Sequence, residues 1–122
     1  GRAELLNTLS IYMRGGLSAD FLKQVVERAV SSGLPLDTAF QACAVVLKVQ
    51  RSGNFETADL LNFANSLMAG GIGPEGYGAV GSFVLRAASS GHDHGEILRD
   101  VSRILRQGGG LPQMELEIGR RR

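Results

Sequence analysis

Residues 33–53 read GLPLDTAFQACAVVLKVQRSG, a run of small and apolar side chains closed at both ends by glycine. From Phe40 to Val49 the apolar residues fall almost all round a helical period, so no broad polar stripe marks a wet face. A helix of that composition is a buried one, packed on more than one side. Pro35 suits the first turn, where its missing N–H leaves nothing unpaired. Thr38 and Gln41 have the three-residue spacing of a capping box. Gly53 follows the helical run, where a residue in the left-handed conformation commonly ends a helix.

The same punctuation extends in both directions. Glycines at 15, 33, 53, 71, 91 and 109 are separated by 18, 20, 18, 20 and 18 residues. Two successive intervals always sum to 38. A spacing that alternates about a fixed sum predicts a unit of two helices repeated along the chain. Residues 33–70 laid over 71–108 without gaps give eight identities. Three are glycine pairs that the helix ends themselves demand: Gly33/Gly71, Gly53/Gly91 and Gly70/Gly108. The other five are Val46/Val84, Leu47/Leu85, Ser52/Ser90, Leu60/Leu98 and Leu67/Leu105. The unit broadly resembles an α-solenoid module. Residues 33–52 nevertheless lack the Trp, Leu-Gly and Tyr pattern of tetratricopeptide repeats, and 38 residues fits neither that repeat nor ankyrin closely.

Each segment between glycines reads as a helix. Leu5, Leu6, Leu9, Tyr12 and Met13 share one face, as do Phe21, Leu22, Val25, Val26, Ala29 and Val30. Leu60, Phe63, Ala64, Leu67 and Met68 form a third stripe, and Ile97, Leu98, Val101, Ile104 and Leu105 a fourth. The segments near 37–50 and 75–89 are apolar more nearly all round and are expected in the middle of the molecule. Ser18 is placed to cap a helix, Pro74 to begin one, and Asp93 with Glu96 to form a second capping box. Glycines 33, 53, 70, 91 and 108 are expected to end helices in the left-handed conformation. No segment alternates with period two, so no sheet is expected. The expected fold is all-α: a compact bundle or short solenoid-like array of about six antiparallel helices, joined by short loops. It fills one domain over 1–118, with 111–118 beginning a helix that the chain does not complete and 119–122 a disordered basic tail.

Composition limits the chemistry. Thirteen basic and 12 acidic residues leave a net charge of +1, which argues against bulk attraction to nucleic acid or anionic lipid. Cys43 is the only cysteine and sits among Ala42, Ala44, Val45 and Val46, so it reads as core and permits no intrachain disulfide. No run of 18 apolar residues offers a membrane span. No signal peptide is visible; a cytoplasmic chain and a secreted or periplasmic chain whose leader has been removed both fit.

Four features invite a functional reading. Gly76-Tyr77-Gly78-Ala79-Val80-Gly81 matches G-x-G-x-x-G, with Glu96 twenty residues beyond Gly76, but no strand precedes it and no βαβ unit surrounds it. Gly78, Gly81 and Ser82 instead thin one region of a helix, allowing another backbone to approach, within the fold or from a partner. His92, Asp93 and His94 bring two imidazoles and a carboxylate into one turn, the candidates for a metal or haem ligand; a capping role for Asp93 with solvated histidines explains them equally well. Arg99, Arg103 and Arg106 line the polar side of the last amphipathic helix and, with Arg120, Arg121 and Arg122, could meet phosphate or an acidic partner, or simply face water. No stacking aromatics flank them, so nucleic-acid binding is not expected. No catalytic constellation and no cofactor signature is present. The expectation is a non-enzymatic structural or protein–protein interaction module, binding another protein or itself. The alternative is a metal- or ligand-binding helical domain using the His92/His94 turn or an interhelical cavity.

Overall fold

A computed structural model describes Asn7, Ser10, Ile11 and residues 16–119. Among these residues there are six α-helices and no strand: α1 (Ala19–Ser31), α2 (Leu36–Gln50), α3 (Thr57–Ala69), α4 (Tyr77–Ser89), α5 (His94–Arg106) and the short α6 (Leu111–Met114). A 3-10 turn, Pro74–Gly76, leads into α4, and a π-helical turn, Glu115–Gly119, continues α6. Asn7, Ser10 and Ile11 are helical, while the rest of the expected first helix and the tail at 120–122 lie outside the described residues. Gly119 closes the π-helical turn and is not part of a tail.

The helices stand in two rows. Helices α1, α3 and α5 pack side by side in one, and α2, α4 and α6 in the other. Between the rows α2 packs on α1 and α3, and α5 on α4 and α6. The α3–α5 contact is the most extensive. The sequence places α2 and α4 at the centre. That holds for α2, but α3 shares the middle with it, and α4 keeps an open side carrying Gly78, Ala79 and Arg86. The reason is composition: Gly, Ala and Ser give α4 an apolar look without supplying area worth burying.

The core is built from the stripes read in the sequence. Phe63, Leu22, Leu67, Ile97, Leu98, Ile104 and Leu105 are fully buried side chains, with Val25, Val46 and Val49 between them. Val30 departs from its stripe and is 68% exposed. Cys43 is buried, and burial pushes its thiol up to about 12.

Helix ends follow side-chain chemistry in part. Ser18 accepts from the Phe21 N–H at 3.1 Å and Asp93 from the Glu96 N–H at 3.0 Å. Thr38 does not cap: it is buried inside α2, and Pro35 itself holds the N-cap position without a side-chain bond. Gly33, Gly91 and Gly108 are left-handed, with φ of 72°, 93° and 83°. After α1 and α5 the chain closes with Leu34 N–H to Ala29 C=O and Gly109 N–H to Ile104 C=O, the 6→1 bond of a Schellman end. Gly70 is not left-handed, its φ being −75°, and Gly53 is not among the positive-φ glycines. Their role is space. A Cβ on Gly70 would lie 3.0 Å from the Leu105 carbonyl oxygen, and one on Gly53 2.9 Å from His94 Cε1.

Candidate functional site

The turn before α5 is the most chemically loaded part of the described chain. Asp93 spends its carboxylate on the Glu96 N–H, fixing where α5 begins. That start aims His94 back across the molecule at the turn after α2. Its ring stacks on Phe55 with centroids 4.7 Å apart and an interplanar angle of 18°. His94 Nδ1 lies 3.2 Å from the Asn54 carbonyl oxygen. The imidazole therefore ties two turns together, and Gly53 supplies the room it needs. His94 is half-buried, not the solvated side chain the sequence suggests.

His92 stands between two hollows. One, of about 580 Å³, is lined by Asn54, Glu56, Asp59, Asp93, His94 and Arg99 as well as His92. The other, of about 560 Å³, reaches Phe83, Arg86, Ser90 and Glu115. Both are open grooves whose walls carry charges of both signs, suited to polar side chains of another molecule. Among the described residues no three His, Cys, Asp or Glu side chains converge as a metal site. The geometric reason at this turn is that Asp93 caps the helix while His94 turns its Nδ1 to a backbone carbonyl.

The three helix arginines do not form a free basic face. Arg99 reaches Asp59 at 3.5 Å. Arg103 donates to Glu117 at 2.8 Å and lies 3.8 Å from Asp100. The hydrogen bond to Glu117 is the main reason that Arg103 holds its proton more tightly than usual. Arg106 is exposed in the last turn, where its charge suits the helix dipole. Arg86, which the sequence does not single out, pairs with Glu115 at 3.5 Å and lies 5.9 Å above the Phe83 ring.

The small residues of α4 separate into two kinds. Gly81 is buried, and a Cβ there would sit 2.7 Å from Val45 Cγ1, so its close approach is to α2 within the fold. Ser82 accepts from Lys48 Nζ at 3.2 Å. Gly78 is exposed, and no atom lies within 4 Å of where its Cβ would be. It lies in the first turn of α4, since that helix begins at Tyr77. The G-x-G-x-x-G match thus falls on a 3-10 turn and the start of a helix, in a described chain without a strand.

Among the described residues no helix is long and apolar enough to cross a membrane. No family model matches this chain, and no curated protein or solved structure matches it either.

Proposed function

We propose that this chain is a non-enzymatic interaction module, a short array of helix pairs that offers the outer side of α2, α4 and the 111–119 segment to another protein. Its unit is a pair of helices 38 residues long. In support, Leu22, Leu60 and Leu98 are all buried at that spacing, as are Val25, Phe63 and Val101, and Ala29, Leu67 and Leu105. In α2 and α4, buried Ala39, Ala42, Cys43, Val45, Val46 and Val49 correspond to buried Tyr77, Val80, Gly81, Phe83, Val84 and Ala87. Arrays in which each unit leans on its neighbours expose a continuous row of equivalent helices, a common arrangement for protein recognition.

One such row of equivalent positions is Phe40, Gly78 and Leu116. Phe40 is half-buried, Gly78 exposed, and Leu116 56% exposed. Gly78 carries the proposal. Its backbone is helical and its Cβ position is open, so alanine would fit and would stabilise the helix by up to about 1 kcal/mol. Nothing inside the fold uses the missing methyl. A close contact with a partner does.

Replacing Gly78 by Gln tests this, because Gln is a good helix former that leaves the fold unstrained. The expected outcome is an intact helical chain that no longer self-associates or retains the protein that co-purifies from its native extract. An unaltered chain that is monomeric and retains nothing contradicts the proposal, and so does a Gly78→Gln variant that binds as the unaltered chain does.

A further inference from the structure

Residues 111–119 differ from the rest of the array. They form a four-residue α-turn and a five-residue π-turn, a length too short to be stable alone. Two apolar anchors four residues apart, Met114 and Ile118, are buried to 0% and 1% exposure. A carboxylate stands beside each: Glu115 pairs with Arg86 of α4 at 3.5 Å, and Glu117 with Arg103 of α5 at 2.8 Å. An acidic strap thus lies on a basic seat made by α4 and α5. It is joined to α5 through Gln107 and three consecutive glycines, of which Gly108 has a φ of 83° and Gly110 is extended. No side chain restricts rotation at those three residues.

We propose that residues 111–119 are an exchangeable strap, which swings out about Gly108, Gly109 and Gly110 and seats on a second copy of this chain. The seat asks for a short helical segment with apolar residues four apart and a carboxylate next to each. The strap of a second copy supplies that set with the same contacts it makes at home. Exchange of an identical element therefore changes little besides hinge geometry and the entropy of association. This surface is distinct from the Gly78 position, and it fails or stands independently of it.

The test uses two full-length chains with opposite charge reversals. One carries Arg86→Glu and Arg103→Glu, and the other Glu115→Arg and Glu117→Arg. Each alone sets like charges against each other between strap and seat. Mixed, exchange brings the acidic strap of the first onto the arginines of the second, and the reversed strap onto the reversed seat, so both pairs re-form in both directions. The expected result, by sedimentation and native mass spectrometry, is a one-to-one heterodimer at concentrations at least about tenfold below those at which either variant associates alone, weakened by high salt. A mixture that stays monomeric overturns the proposal, and so does a dimer indifferent to the reversals. Hydrogen exchange on the unaltered chain gives a second reading should either variant fail to fold. Amides of Met114 and Ile118 are expected to exchange at least about tenfold faster than those of Ile104 and Leu105, by local opening. Equal rates, set by global unfolding, overturn it.

Discussion

Two glycines three residues apart in α4 have opposite physical meanings. At Gly81 an added methyl would fall 2.7 Å from Val45 Cγ1, so Gly81→Ala overpacks the α2–α4 contact. Overpacking costs about 1–3 kcal/mol, which outweighs the gain of about 1 kcal/mol in helix propensity. Urea unfolding should show a net loss, and Val45→Ala should recover part of it in the double variant, since the two residues share one contact. At Gly78 the same change meets open space and should raise stability. Cys43 supplies a pH prediction at this scale. Burial raises its thiol from the ordinary value of 9.0 to about 12. Between those values the folded chain keeps a proton that the unfolded chain releases, so stability falls as pH rises, by at most about 1.4 kcal/mol per pH unit from this group. Tyr77 adds to the same trend, being raised by burial and then by Glu75. Equilibrium unfolding from about pH 8 upward checks this, with Cys43→Ala expected to flatten the slope; a thiol reagent should label Cys43 only as the chain unfolds.

At the scale of the element, the turn into α5 is held at two points. Asp93→Ala removes the cap on Glu96 and should cost about 0.5–2 kcal/mol, measurable by thermal or urea unfolding. His94→Ala removes the stack on Phe55 and should loosen the turn after α2 as well as its own, so that hydrogen exchange quickens at Asn54 and Phe55. The cap was legible in the sequence, because Asp93 and Glu96 carry it locally. The stack was not, because Phe55 and His94 belong to different helix pairs and no local pattern joins them. The same limit explains Gly53 and Gly70. Their spacing marks where helices end, but whether a glycine there is left-handed or makes room for a neighbour depends on what the other segment brings. Thr38 shows the reverse error, a correct spacing for a cap on a residue that the core claims instead.

For the whole molecule, apolar periodicity was enough to give an all-α bundle and most of its core. It tells which side of a helix is buried, not which helix covers it. Hence α3 joins α2 at the centre where α4 was expected. Arg99 and Arg103 belong to a polar stripe, yet Asp59, 40 residues before Arg99, and Glu117, 14 after Arg103, take up their charges. The two-row layout leaves the α2–α4 side with a contact position at Gly78 that adds nothing to the fold. The most direct measurement follows unfolding free energy and association on one preparation of Gly78→Gln. The account predicts stability unchanged or raised, by up to about 1 kcal/mol, with association weakened. Association equal to that of the unaltered chain, or a loss of stability in its place, would contradict it.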